Sequence, residues 1–372
     1  MRILTTSFGT LGDHVPTLAL SVALRNSGHE VAAAVGEAAL PLYGHERIPA
    51  RGSGSGLSPE VVQQHPWLFD YRASFVPDRA KMSADIEDMP RNYRELARLA
   101  REFRPDVLIA GAGQRAARFV SEDQRIPWVS LCTHRALFRA IKLRHETHAP
   151  RVILACSPVF DDTPIDEQIV VTGFVYYDSA AQPGWSKPSP ALEQFVAEGH
   201  SDGFLLLLPG SLPHAHRAEF LRHHVEAARE MGRRIVVQRG WAGLGPELLP
   251  TACDHVFFAD ALPHDWLLAR AAAVICPGRI GVVAGALRAG CPILVEPRTR
   301  DGFNHARRLR TLGVGVALDS SALSQVGIRR ILEEKLLLPA VRERAARLAA
   351  LIAAEAGVTA AVAAIERWMK QG

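Results

Sequence analysis

Short β-rich runs alternate with helix-period segments along this chain, and the alternation occurs twice. Such a pattern builds parallel sheets covered by helices, because consecutive parallel strands need a long crossover that a helix supplies. In the first half the strand candidates are Arg2–Ser7, Glu30–Val35, Val107–Ala110, Trp128–Leu131 and Val152–Cys156. Between the first two, Val15, Leu18, Ala19 and Val22 share one face of a helix predicted over Val15–Asn26, which Gly28 ends. Ala181–Pro190 contains Pro183, Gly184, Pro188 and Pro190, a density of helix-incompatible residues that marks an interdomain linker. The alternation then restarts. Strands are predicted at Phe204–Leu208, Arg234–Gln238, His255–Phe258, Ala272–Cys276 and Pro292–Glu296. Helices are predicted at Ala215–Glu230, Trp266–Ala271, Val282–Ala289 and Phe303–Leu312, and the stretch from Leu323 to Met369 is mainly helical. With 372 residues the chain exceeds one compact core and suits two α/β domains, divided as 1–182, a linker over 183–190, and 191–372.

Bulk properties narrow the function classes. Hydrophobic residues make up 48% and charged residues 22%, an ordinary globular balance. The net charge of +4 is mild and the arginines are dispersed, which argues against a nucleic-acid partner while still favouring a diphosphate. Met1–Ser7 reads as a first strand and not as a secretion signal, and no apolar run approaches a membrane span, so a cytoplasmic location without a transmembrane segment is expected. Five cysteines, Cys132, Cys156, Cys253, Cys276 and Cys291, match no zinc spacing and form an odd count, which points to buried thiols. Arg51-Gly52-Ser53-Gly54-Ser55-Gly56 follows no clear strand and reads as a mobile connection.

In open α/β sheets, ligands bind outside the carboxyl ends of the strands, which directs attention to the loops there. The first reads Ser7-Phe8-Gly9-Thr10-Leu11-Gly12-Asp13-His14-Val15-Pro16. Its glycines allow a sharp turn, and Pro16 suits the first turn of the helix that follows. Asp13 near a helix N-terminus is either a cap or a general base for an acceptor hydroxyl, with His14 as the neighbouring candidate. His214, His216 and His264 lie in loops and read as solvated, and Trp241 either stacks on a base or packs.

These residues carry a resemblance. Gly9–Leu20 followed by Leu24-Arg25-Asn26-Ser27-Gly28-His29-Glu30-Val31 resembles the opening of GT-B glycosyltransferases of the antibiotic and sterol glucosyltransferase group. That family places its catalytic base three residues before the proline, as Asp in the glycopeptide-antibiotic branch and His in many others, so the resemblance favours Asp13 over His14. The likeness continues in order through Val171-Thr172-Gly173-Phe174, the turn at Pro209-Gly210-Ser211, and Gly240-Trp241-Ala242-Gly243-Leu244 beside the nucleotide base. It goes on through Leu262-Pro263-His264-Asp265-Trp266-Leu267, Ala284–Gly290 and Arg307-Arg308-Leu309. It implies two Rossmann-like domains facing across a cleft, an N-terminal one for the acceptor and a C-terminal one for a nucleotide sugar. It also implies that the last helix packs back on the N-terminal domain. Donor contacts are implied at Ser211, Gly240, Trp241, Leu262, His264, Gly278, Gly281 and Asp301, with no metal and no cofactor.

Two departures bear on the donor. The family's diphosphate loop is His-Gly-Gly-x-Gly-Thr, whereas this chain has Pro277-Gly278-Arg279-Ile280-Gly281-Val282. Pro277 offers no donor and Val282 no hydroxyl, so Arg279 either replaces the lost imidazole at the phosphates or is a solvated surface residue. The family's Asp-Gln, which contacts sugar hydroxyls, is Asp301-Gly302 here, and the lost amide suggests a deoxysugar. The segment between Cys132 and Val152 is also short for the family, on the acceptor side. The expected function is inverting sugar transfer from a nucleoside diphosphate donor to a hydroxyl of a small molecule such as a natural product. The rival is an inactive relative acting as an auxiliary or binding protein, and a transferase with an atypical donor is a third possibility.

Overall fold

The computed structural model describes residues 1–54, 79–134, 151–161, 169–177, 187–199, 201, 203–211, 214, 216–260, 262–319 and 323–371, with backbone alone at 79–88. The chain forms two compact units. Among the described residues, one comprises those within 1–58, 81–177 and 354–372, and the other is built mainly from those within 178–353.

The first unit opens with β1 (Arg2–Ser7), α1 (Leu11–Asn26) and β2 (Glu30–Val35), then α2 (Leu40–His45), β3 (Ala50–Gly52) and α3 (Arg79–Phe103). It continues with β4 (Val107–Gly111), α4 (Ala116–Gln124), β5 (Trp128–Cys132), β6 (Arg151–Leu154) and β7 (Ile169–Val171). All seven strands are parallel, in the order β3-β2-β1-β4-β5-β6-β7. Helices cover both faces, which is why β1 reads as a continuous buried run and not as an alternating one. Ile3 joins a core with Leu18, Leu20 and Leu24 on one face, while Leu4 joins Leu96, Ala97 and Val120 on the other.

The second unit begins with α5 (Pro190–Ala197), β8 (Phe204–Leu207), α6 (Arg217–Glu230), β9 (Ile235–Gln238) and β10 (Val256–Ala259). It goes on with α7 (His264–Leu268), β11 (Ala271–Cys276), α8 (Ile280–Ala289), β12 (Ile293–Val295), α9 (Arg300–Leu312) and β13 (Gly315–Ala317). Its last helices are α10 (Gln325–Ile331) and α11 (Pro339–Ala353). The six strands are again all parallel, in the order β10-β9-β8-β11-β12-β13. The final helix, α12 (Val358–Gln371), belongs to the first unit and buries Ala361, Val362, Ala364, Ile365 and Trp368 in its core.

Several expectations are corrected. Helix α1 begins at Leu11, so Pro16 lies inside it and not in its first turn. Arg51 and Gly52 are no mobile connection but part of β3, which pairs with β2, and Ser53 N–H extends the pairing to Val35 O at 2.8 Å. Ser55 and Gly56 lie outside the described residues, as do Pro183 and Gly184 of the expected linker and most of the acceptor-side segment after Cys132. Pro190 is the first residue of α5, capped by Ser189, whose Oγ accepts from Leu192 N–H at 3.2 Å. The expectation of no membrane-length apolar run also fails in composition, since Pro339–Gln371 qualifies among the described residues. That stretch is two helices, α11 and α12, separated at Glu355 and Gly357, where Gly357 N–H donates to Thr172 O at 2.9 Å.

Candidate active site

In the first unit, β1 ends in a sharp turn at Gly9 and α1 begins with Thr10 as its N-cap. The Asp13 carboxylate turns back on this cap. Its Oδ2 accepts from Thr10 N–H at 2.8 Å and from Thr10 Oγ1 at 3.0 Å. An acidic side chain there satisfies a backbone donor of the first turn and sits at the positive end of the helix. Gly9 has φ +128°, and a Cβ on it would stand 2.4 Å from Asp13 Oδ2, so only glycine lets the carboxylate occupy this place.

Asp13 faces a small polar recess lined also by Phe8, Thr17, Gly111 and Thr133, at the carboxyl ends of β1, β4 and β5. His14 points the other way. It is 1% exposed, with Nδ1 at 2.7 Å from Ser7 Oγ inside the unit. The two neighbours are thus separated by the helix itself, Asp13 toward the recess and His14 toward the core. Thr10 is the partner of Asp13 that sequence reasoning passed over, although a threonine three residues before an aspartate is a readable capping signal.

In the second unit, the expected donor residues all follow strands of one parallel sheet, which places them at the same carboxyl edge. Ser211 follows β8, Gly240 and Trp241 follow β9, Leu262 and His264 follow β10, Gly278–Gly281 follow β11, and Asp301 follows β12. The first two loops touch, with Trp241 N–H donating to Gly210 O at 3.1 Å. Leu262 is buried, and His264 Nε2 lies 3.4 Å from Gln238 Oε1. Burial pushes the His264 imidazole down to about 4, with the neighbouring Asp265 opposing, so it is neutral at physiological pH.

The loop after β11 is clasped on the first turn of α9. Arg279 caps α8 and reaches Asp301, Nη1 to Oδ2 at 2.8 Å. It is a partly exposed arginine ion-paired with Asp301, another of the expected donor residues. His305 Nδ1 donates to Gly278 O at 2.7 Å. A Cβ on Gly302 would meet Pro277 O at 2.5 Å. The glycine that stands where the family has glutamine is thus a packing requirement of this loop. At Gly281 a Cβ would meet nothing within 4 Å, so the start of α8 is open on that side. The backbone N–H groups of Ile280, Gly281 and Val282 head this helix, an arrangement suited to an anion.

The solvated assignment fails for His214. It is 8% exposed, stacks 4.0 Å from the Phe220 ring and accepts at Nδ1 from Arg298 Nη2 at 2.9 Å. Beside it His224 Nε2 meets Glu296 Oε1 at 2.7 Å. His216 is exposed.

Two parallel sheets, each covered by helices on both faces, are the architecture of the GT-B fold. The comparisons agree with that class. Residues 228–367 match the family described as erythromycin biosynthesis protein CIII-like, C-terminal domain. The O-mycaminosyltylonolide 6-deoxyallosyltransferase of Streptomyces fradiae is 28% identical, over 99% of this chain and 97% of that protein. A sterol 3-beta-glucosyltransferase of Vanderwaltozyma polyspora is 30% identical over 55% of this chain, a match covering only 17% of that protein. The spinosyn rhamnosyltransferase SpnG complexed with thymidine diphosphate superposes with a TM-score of 0.74 at 21% identity, covering 98% of this chain and 100% of that one. The chain has the GT-B fold and is similar, over nearly its whole length, to a glycosyltransferase of the antibiotic type.

Proposed function

We propose that the protein transfers a sugar from a nucleoside diphosphate to a hydroxyl of a small-molecule acceptor, with inversion at the anomeric carbon. The observation that carries this reading is Asp13, a carboxylate fixed by Thr10 at the rim of a recess. Asp13 takes the acceptor's hydroxyl proton, the freed oxygen attacks the anomeric carbon, and the bond to the diphosphate breaks with its electron pair leaving on phosphate. A single displacement of this kind inverts the centre. The leaving diphosphate meets the open N-terminus of α8, with the Arg279 guanidinium beside it. These groups supply the stabilisation without a metal or a cofactor.

Support for the donor class comes from likeness, since the matched solved structure binds thymidine diphosphate. Support for a deoxysugar is twofold. The relative from Streptomyces fradiae is by name a 6-deoxyallosyltransferase, and Gly302 leaves no side chain to read a sugar hydroxyl. The sterol match spans under a fifth of that relative, so a sterol acceptor gains little from it.

The test is turnover of purified protein against a panel of thymidine and uridine diphosphate sugars. Asp13→Asn is expected to lower turnover by about 10²–10⁴-fold, the usual worth of a positioned base, while thymidine diphosphate affinity stays within about twofold. Activity that survives in Asp13→Asn but disappears in His14→Ala moves the base to His14. Wild-type protein that binds no nucleoside diphosphate favours the auxiliary reading.

A further inference from the structure

His214 follows β8 and Arg298 follows β12, and these two strands lie on either side of β11. Adjacent strands are about 4.8 Å apart, so the ends of β8 and β12 stand about 10 Å from one another. Pairing runs to the carboxyl end on both sides, with Leu208 N–H on Ile275 O at 2.9 Å and Glu296 N–H on Cys276 O at 2.9 Å. The 2.9 Å contact from Arg298 to His214 therefore joins the segments that follow β8 and β12, the two neighbours of β11. Strand β11 between them leads into Pro277, where the family's diphosphate loop has its imidazole.

The bridge is built rather than incidental. Arg298 is 5% exposed and His214 is 8% exposed. Phe220 supports both, with its ring 4.0 Å from the His214 ring and 5.9 Å from the guanidinium carbon. Phe220 O accepts from His224 Nδ1 at 2.8 Å, and Glu296 holds the other side of that imidazole. A guanidinium is always charged, so His214 meets it as a neutral ring whose Nδ1 accepts. Burial and the Arg298 charge both keep His214 well below its usual titration range.

We infer that Arg298 is a positioning residue for the donor: by holding His214 it fixes, three residues on from Ser211, the segment that brings Ser211 to the carboxyl edge of this sheet. The inference rests on the donor reading of this edge. Only a tied loop presents Ser211 and the Gly210 backbone to a diphosphate in one arrangement, and Gly210 in turn holds Trp241. A guanidinium at this edge also adds fixed positive charge where the imidazole is gone.

The experiment compares wild type, Arg298→Ala, His214→Ala and His214→Asn in the full chain. Thymidine diphosphate affinity is measured by calorimetry, and amide exchange is followed at Gly210, Ser211 and His214. Arg298→Ala and His214→Ala are expected to weaken affinity by about tenfold and to speed exchange at those amides before nucleotide is added. His214→Asn places an acceptor oxygen where Nδ1 stood and is expected to restore both within about threefold. A merely structural role would not be rescued in nucleotide affinity by that acceptor. Unchanged exchange in Arg298→Ala, or faster exchange with unchanged affinity, overturns the assignment while leaving the donor reading intact. Wild-type protein that binds no thymidine diphosphate overturns the donor reading and this inference with it.

Discussion

His264 shows how one side chain links burial to pH. Its imidazole titrates at about 4, against about 6.5 in an unfolded chain. Between those values the unfolded state binds a proton that the folded state does not, so stability rises with pH across the window. The contribution is whole above pH 6.5 and falls away as the medium is acidified toward pH 4. Acidifying from pH 7 to pH 5 is expected to cost up to about 2 kcal/mol through this residue. Urea unfolding at the two pH values checks it, and His264→Gln should flatten the difference. Asp13 turns back on Thr10 within one turn of helix, so both residues of that contact stand together in the sequence. His214 escaped because its partner Arg298 lies 84 residues away. Spacing cannot register such a pair, and a loop histidine has no periodicity to betray its burial.

At the scale of elements, the β11–α8 loop and the first turn of α9 form one clasp. Pro277 packs on Gly302, Gly278 is held by His305, and Arg279 is paired with Asp301. Restoring the family's residue with Gly302→Gln is therefore expected to damage the loop and not to repair it. Overpacking of this kind costs about 1–3 kcal/mol, and thermal melting together with thymidine diphosphate affinity will show both losses. The departures at 277 and 302 were visible in the sequence as two separate losses. Their coupling was not, because a glycine read alone does not say which atom fills its space. The central strands were legible nearly residue by residue, since burial on both faces leaves continuous apolar runs. Of the three-residue strands, β12 was legible within the run Pro292–Glu296, whereas β3, β7 and β13 were not read from their own patterns. Helices α8 and α9 began two to three residues ahead of their apolar faces, because the first turn is set by backbone geometry.

The whole molecule is organised around a first unit whose core is discontinuous in the chain. Ile365 and Trp368 of α12 pack with Leu18, Leu24 and Ile3, and His29 Nε2 meets Glu366 Oε1 at 2.9 Å. Ile365 is fully buried, so Ile365→Ala should cost about 2–5 kcal/mol. The loss is expected in the first unit alone, and amide exchange resolved along the chain would reveal it on β1 and α1 while the second sheet keeps its protection. The same discontinuity has a consequence for biosynthesis. When β1 and α1 leave the ribosome, the helix that completes their apolar contact has not yet been translated. The stretch of Leu18, Leu20 and Leu24 must wait, unshielded, through the synthesis of the entire second sheet, and the second unit has all its pieces before the first does. The half of the chain made first is the half that can be finished only last.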